Sequence, residues 1–141
     1  MSIVNSPEIE VVAAVILNSN NEILCMQRGV NKYEYISEKY EFPGGKIKEN
    51  EPLKEALKRE LNEELSIDVN IIDIIEFPNN VLKTEKLILS VYIIKKWKNE
   101  LIINHEINSE FLKVKKEELK NVEDLLETDK QLIPALLNFL N

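Results

Sequence analysis

A run of apolar and acidic residues with helical spacing constrains the fold of this chain more than any other feature. Leucines recur at every fourth position, at Leu57, Leu61 and Leu65. Beside them stand three glutamates spaced i, i+3 and i+4, which are Glu60, Glu63 and Glu64. Successive residues of a helix are about 100° apart, so the glutamates share one sector of roughly 100° next to the leucine stripe. The pattern predicts a helix from Glu51 to Leu65 that buries its leucines and holds three carboxylates at the edge of the buried face.

Three carboxylates placed this close together need an explanation, because like charges at helical spacing cost roughly a few tenths of a kcal/mol. A divalent cation would supply it, since carboxylate oxygens are the ligands that Mg²⁺ and Mn²⁺ prefer. The chain lacks the residues of a usual zinc site, because Cys25 is its only cysteine and His105 its only histidine. On the helix alone, the alternative is a solvated acidic face paired with Lys54, Lys58 and Arg59.

Two glycines just before the helix favour the site over the solvated face. Gly44 and Gly45 follow Phe42-Pro43 and lead into the helix through a loop. Glycine allows a close approach of the backbone, and a glycine-rich loop entering a helix can present backbone groups to phosphate or metal. No Gly-Lys-Ser/Thr follows at the right distance, so this is not a P-loop.

The whole segment resembles the Nudix box. It reads Gly45, five residues, Glu51, seven residues, Arg59-Glu60-Leu61, one residue, Glu63-Glu64, one residue, Ser66-Ile67. The family pattern has Gly at the position of Ser66 and agrees at every other fixed position. That glycine helps the chain leave the helix, so we expect Ser66 to cost some stability but no metal ligand. Residues 22–28 and 40–47 are similar to the MutT-type branch, and a looser similarity extends from Val11 onward.

The resemblance implies an α+β fold, the Nudix-type α/β/α sandwich with a mixed central sheet, in a single domain spanning residues 1–141. It also implies the roles of the residues in the box. Divalent metals, Mg²⁺ or Mn²⁺, would be held by the carboxylates of Glu60, Glu63 and Glu64 and by the backbone carbonyl of Gly44. The structural support of the loop and the helix would come from Gly45, Glu51 and Arg59, the last two through a salt bridge.

Residues outside the box complete the substrate site that the resemblance implies. Arg28 matches an arginine that contacts phosphate. Asp129 matches the position that reads the edge of the base, where the type enzyme has Asn, although it could instead cap the last helix. Phe77 could line the base pocket, with core packing as the simpler alternative.

The resemblance implies metal-dependent hydrolysis of a nucleoside triphosphate, standard or oxidised, to the monophosphate and pyrophosphate. Water would attack the β-phosphorus, and the predicted catalytic residues are Glu60, Glu63 and Glu106. The general base stays open between Glu60, Glu106 and Glu110, because the alignment of the later loop is ambiguous. Two alternatives are hydrolysis of another nucleoside diphosphate derivative, such as a dinucleoside polyphosphate or a nucleotide sugar, and a non-catalytic nucleotide sensor. The intact glutamates disfavour the sensor.

Composition sets the class of protein and its partners. The chain has 141 residues, of which 44% are hydrophobic and 30% charged, as in an ordinary globular domain. Its formal net charge of −7 disfavours long nucleic acid and leaves a small nucleotide as the expected partner. No apolar run approaches the ~20 residues of a membrane span, and no signal peptide is evident. We therefore expect a cytoplasmic protein without a membrane partner, either a monomer or a homodimer.

Local patterns predict the remaining elements. Apolar and β-branched runs indicate strands at residues 11–17 and 22–28, joined as a hairpin, and at residues 69–77 and 87–97. Residues 29–39 are expected to form a loop, residues 40–42 and 111–114 short extended pieces, and residues 117–119 one helical turn. A last helix is expected from Thr128 to Leu140, capped by Thr128 or Asp129.

Overall fold

The structure, a computed structural model, describes residues 9–28, 38–105 and 108–141. Its strands are β1 (Ile9–Ile16), β2 (Glu22–Arg28), β3 (Tyr40–Glu41), β4 (Gly44–Lys46), β5 (Val81–Lys83), β6 (Leu87–Ile94) and β7 (Asn108–Lys115). Its α-helices are α1 (Leu53–Leu65) and α2 (Glu127–Leu140), and short 3-10 helices cover Ile71–Asp73 and Lys116–Asn121. None of the helices in these ranges is long and apolar enough to cross a membrane.

The strands form two sheets that together lie between the two helices. One sheet has the order β4-β1-β6-β5 and the other β3-β2-β7. Side chains of β1 alternate between two core clusters: Ala13 and Val15 pack with α2, whereas Val12 and Ala14 pack with α1. Strand β2 alternates between the same two clusters. The α/β/α sandwich is therefore confirmed, and the larger sheet is mixed because β1 runs parallel to β6 and antiparallel to β4.

The predicted hairpin of β1 and β2 is wrong. Both strands form, but they belong to different sheets and share a single bridge, between Leu17 and Ile23. Strands β4 and β6 occupy the two edges of β1, so β2 pairs instead with β3 and β7. The predicted turn is present, and the Asn18 side chain accepts the backbone N–H groups of Asn20 and Glu22. The turn thus transfers the chain from one sheet to the next.

The predicted strand at residues 69–77 is also wrong. A 3-10 helix occupies Ile71–Asp73 within this segment. Of its residues, only Ile75 pairs with β6, through hydrogen bonds of 2.9 and 2.8 Å between its backbone and that of Ile93. Its apolar residues do not alternate as in a strand, since Ile74 is buried while Ile72, two residues earlier, is 92% exposed. Strands β4 and β5 were not predicted, and β7 is longer than the piece expected at residues 111–114. Most of the loop expected at residues 29–39 lies outside the described residues.

Helix α1 forms as predicted and ends on a residue with a left-handed backbone. Pro52 precedes its first turn, and its leucine stripe is buried. Ser66 then adopts φ 60° and ψ 20°, while its N–H bonds to the carbonyl of Asn62 at 3.0 Å. This conformation costs a residue with a Cβ roughly 1–2 kcal/mol, and glycine avoids that cost. The position therefore favours Gly for a reason of backbone geometry.

Replacement Ser66→Gly should increase the free energy of unfolding by about 0.5–1 kcal/mol, because relief of the strain exceeds the extra entropy of the unfolded chain. Urea denaturation followed by circular dichroism measures the change. Ser66→Ala is the matched control and should give no increase, since alanine keeps the Cβ. A lower stability with glycine than with serine would contradict the interpretation.

Candidate active site

Strand β4 brings two glycines against the glutamate face of α1. It pairs with β1, with Gly44 opposite Ala13 and Gly45 opposite Val12. A Cβ on Gly44 would lie 2.0 Å from the backbone oxygen of Val12, and a Cβ on Gly45 would lie 2.5 Å from the carboxyl carbon of Glu60. Gly44 has no room for a side chain because backbone atoms block it, and a Cβ at Gly45 would displace the carboxyl group of Glu60. Glycine here lets the loop touch the strand on one side and the helix carboxylate on the other.

Glu64 lies deepest of the three glutamates and binds the same loop. Its side chain is 7% exposed, and its Oε2 accepts the backbone N–H of Gly44 at 3.0 Å. Burial, together with the neighbouring charges of Glu60, Glu41 and Glu63, raises the pKa of Glu64 to about 8. The carboxyl thus stands in an excess of negative charge, which a cation would relieve.

Arg59 joins the start of α1, the loop and the glutamates. Its Nε and Nη2 donate to the two carboxylate oxygens of Glu51, each at 2.8 Å. Its Nη1 donates to Glu60 at 2.9 Å and approaches Glu63 at 3.4 Å, and Nη2 also donates to the carbonyl of Lys46. The hydrogen bonds from Arg59, with help from the N–H of Lys48, lower the pKa of Glu51 to about 2. The salt bridge expected between Glu51 and Arg59 is present and holds the loop on the helix.

Within the described ranges, no three Asp, Glu, His or Cys side chains converge as a ready metal site. Glu60 and Glu63 turn toward Arg59, whereas Glu64 turns toward the N–H of Gly44. Carboxylates that repel one another take the nearest donors, so this arrangement is the one expected without a cation. The three carboxylates offer only hard oxygen donors and carry more charge than Arg59 balances. The donor set fits Mg²⁺ or Mn²⁺, provided that the glutamate side chains rotate away from these donors.

A cleft of about 140 Å³ runs from the glycines to the start of α2. It brings together two predicted site residues that lie far apart in the sequence, Arg28 and Asp129. Glu41, Lys46 and Thr128 also line it and were not among the predicted site residues. The cleft adjoins the glutamate face because Gly44, which lines it, bonds to Glu64.

Asp129 does not cap α2, and neither does Thr128. The helix begins at Glu127 after Leu126, without a side-chain cap. Asp129 is 4% exposed, and its Oδ2 accepts the backbone N–H of Phe42 at 2.8 Å. It therefore ties α2 to the connection between β3 and β4. Burial raises the pKa of Asp129 to about 7, and the charge of Glu41 also raises it.

Two other candidates, Phe77 and Glu110, lie away from the cleft, and a third, Glu106, cannot be placed. Phe77 is 2% exposed, lies 6.1 Å from the ring of Phe139 and does not line the cleft as described, so its place is in the core. Glu106 lies outside the described residues. Glu110 stands opposite Gln27 in the β2–β7 pair.

The register of β2 places Glu110 away from the other glutamates. Gln27 alternates with Ile23 and Cys25, which pack in the α2 cluster, and residues directly opposite in an antiparallel pair share a face. Glu110 therefore lies on the α2 face of the sheet, whereas Glu60 and Glu64 come from α1 on the other face. This placement argues against Glu110 as the general base.

A larger cavity of about 340 Å³ lies elsewhere, lined by apolar side chains such as Trp97, Leu101, Ile103 and Phe111. His105 borders it, but none of the predicted site residues that the structure describes does. The smaller cleft is the better candidate because it collects Arg28 and Asp129 and adjoins the glutamate face of α1.

Asp129→Asn should stabilise the protein most at alkaline pH. The folded pKa of Asp129 is raised to about 7 from 3.8, so its ionisation makes the fold less stable as pH rises from about 4 to 7, and the loss is complete above 7. Asparagine stays neutral and can still accept the N–H of Phe42. At pH 8 the gain should be a few kcal/mol, since each pKa unit is worth about 1.4 kcal/mol, and it should shrink near pH 4.

Urea denaturation at pH 4, 6 and 8 measures this dependence. Glu127→Gln, in the same helical turn but exposed, is the control and should show no comparable trend. An equal effect of Asp129→Asn at all three pH values would contradict the assignment.

Comparisons with known proteins agree with this geometry. The NUDIX domain profile matches residues 7–136. The 8-oxo-dGTP diphosphatase of Proteus vulgaris is 33% identical over 94 residues, which cover 67% of this chain and 82% of that protein. The protein of that name from Escherichia coli (strain K12) is 29% identical over 93 residues, or 66% of this chain and 70% of that one. The crystal structure of the MutT protein from Methanosarcina mazei Go1 has a TM-score of 0.78 at 23% identity and covers 99% of both chains. The chain therefore belongs to the Nudix family.

Proposed function

We propose that this chain is a metal-dependent hydrolase that converts a nucleoside triphosphate to the nucleoside monophosphate and pyrophosphate. One observation carries the proposal: a single cleft joins Arg28 and Asp129 to the loop that binds Glu64. An enzyme for this reaction must hold the base, the phosphates and the metal in one continuous site. Asp129, Arg28 and the glutamates beside the loop are the residues that could bind these three groups. The relatives named 8-oxo-dGTP diphosphatase make an oxidised purine nucleotide the first substrate to test.

The ligands of the metal would be Glu60, Glu63, Glu64 and the backbone carbonyl of Gly44. A bound Mg²⁺ or Mn²⁺ neutralises phosphate charge and lowers the pKa of a water molecule. The burial of Glu64 beside Glu60, Glu41 and Glu63 supports this assignment, because a bound cation would offset the cost of ionising a carboxyl group that no described cation pairs with.

The side chains of the cleft bind and orient the substrate. Arg28 contacts the phosphates through its guanidinium group. Asp129 stands beside the N–H of Phe42, so the two groups together can accept from and donate to the edge of a base. Lys46 adds a second positive charge to the same cleft. Positioning by these groups lowers the barrier without covalent chemistry.

A glutamate removes the proton of the attacking water. Glu60 is one candidate, because its carboxyl lies against Gly45 beside the cleft. Glu106 is the other; it lies outside the described residues, two positions after Asn104, which is anchored to α1. There the N–H of Asn104 donates to the carbonyl of Glu64 at 2.8 Å, and its side chain approaches the carbonyl of Glu63.

We further propose that the chain acts as one catalytic domain in the cytoplasm, as a monomer or a homodimer. Both core clusters share β1, which supports one cooperative unit. The net charge of −7 supports a free nucleotide rather than long nucleic acid as the partner.

Glu63→Gln should lower turnover by about two or more orders of magnitude, because it removes a metal ligand and a charge that act in the transition state. The side chain is 50% exposed, so the fold should survive. Steady-state kinetics and thermal unfolding measure the two effects. Glu55→Gln, exposed on the same helix, should leave turnover unchanged. Near wild-type activity of Glu63→Gln with Mg²⁺ would rule out the assigned site.

A panel of nucleoside di- and triphosphates that includes 8-oxo-dGTP should show Mg²⁺-dependent product formation. We expect pyrophosphate from triphosphates, no product after treatment with EDTA, and recovery with excess Mg²⁺ or Mn²⁺. Pyrophosphate detection with chromatography of the nucleotide products measures the reaction. Release of inorganic phosphate instead of pyrophosphate, or full activity in EDTA, would contradict the proposed reaction.

A further inference from the structure

We propose that Glu41 is a positioning residue that holds the guanidinium group of Arg28 in the orientation needed to bind the phosphates of the substrate. The proposal rests on the proposed function, in which Arg28 is the phosphate contact, and it adds a residue that acts only through Arg28.

The strand register puts the two side chains together. Glu41 of β3 stands opposite Met26 of β2, and Arg28 lies two residues further along β2, on the same face as Met26. Glu41 Oε2 accepts a hydrogen bond from Nε of Arg28 at 2.9 Å. This bond fixes the plane of the guanidinium group through Nε. Among the described residues it leaves the two terminal nitrogens for an anion in the cleft.

The two members of the pair differ in burial. The side chain of Glu41 is 21% exposed and that of Arg28 is 39% exposed. Burial raises the pKa of Glu41, and the charge and hydrogen bond of Arg28 act against that rise. The glutamate is thus the anchored member, and the arginine is the one that reaches the cleft.

The location of Glu41 makes its charge costly without Arg28. Glu41 lines the same cleft as Asp129 at the base end and as Gly44, whose N–H bonds to Glu64. An unpaired carboxylate there would repel a polyphosphate. Glu41 should therefore help substrate binding when Arg28 is present and hinder it when Arg28 is absent. A residue that only stabilises the β2–β3 pair would not show this change of sign.

A double-mutant cycle tests the inference with four proteins: wild type, Glu41→Gln, Arg28→Ala and the double variant. We expect Glu41→Gln to raise KM about tenfold in the wild-type background, the size of effect expected for a charge-assisted hydrogen bond, with a much smaller change in kcat. In the Arg28→Ala background the same change should leave KM unaltered or lower it. A loss of folded protein would instead reduce kcat at constant KM.

The same cycle is measured on the Kd of inorganic triphosphate with Mg²⁺ by calorimetry, which needs no turnover. The Kd should weaken on Glu41→Gln only when Arg28 is present. If the wild type releases no product, the proposed function fails and the calorimetric cycle still decides the role of Glu41.

The control is Asp124→Asn, which removes a charge of the same sign from a side chain that is 70% exposed and 3.7 Å from Lys39. It should alter neither KM nor Kd. If Glu41→Gln unfolds, Glu41→Asp replaces it; this carboxylate is too short to reach Nε, and KM should rise again. Equal effects of Glu41→Gln in both backgrounds, or no rise of KM and Kd with either variant, would overturn the inference.

Discussion

The close packing of β4 between β1 and the glutamate face of α1 is the constraint on which the rest of the site depends. It is possible only because β4 is pinned to β1 and has no side chain at either of its first two positions. The N–H of Gly44 is then in reach of Glu64, and Lys46 presents its carbonyl to Arg59. The short strand β4 thereby sets the distance between the loop proposed to bind phosphate and the helix proposed to bind the metal.

Electrostatic imbalance is the second organising feature. Arg59 is engaged by Glu51 and Glu60, whereas Arg28 is engaged by Glu41 only through its Nε. No cation of the described residues pairs with Glu64, which is buried near like charges. The fold tolerates this cost because carboxylates that were neutralised by the protein itself would have little affinity left for a cation. The buried carboxyl group of Glu64 thus lowers the stability of the fold but keeps its affinity for a cation, as is common in binding and catalytic sites.

The sequence predicted the parts of the structure that local chemistry determines. The spacing of leucines and glutamates is sufficient to define α1, and the box is sufficient to define the glycine loop and the Glu51–Arg59 pair. The sequence could not show that β1 lacks a free edge for β2, because strand pairing depends on distant segments. The same limit applies to Asp129, whose partner Phe42 is 87 residues away. Glu110 could be placed only with the β7 register, and Glu41 only once β3 was paired with β2.

Asp129 and Phe42 connect regions that otherwise belong to separate halves of the molecule. The glutamates rest on the cluster packed against α1, whereas Asp129 rests on the cluster packed against α2. The cleft is the seam between them, so it exists only while both halves are assembled. A nucleotide bound in the cleft would contact both halves at once. Its binding would therefore stabilise their packing and lower the rates of local opening and proteolysis.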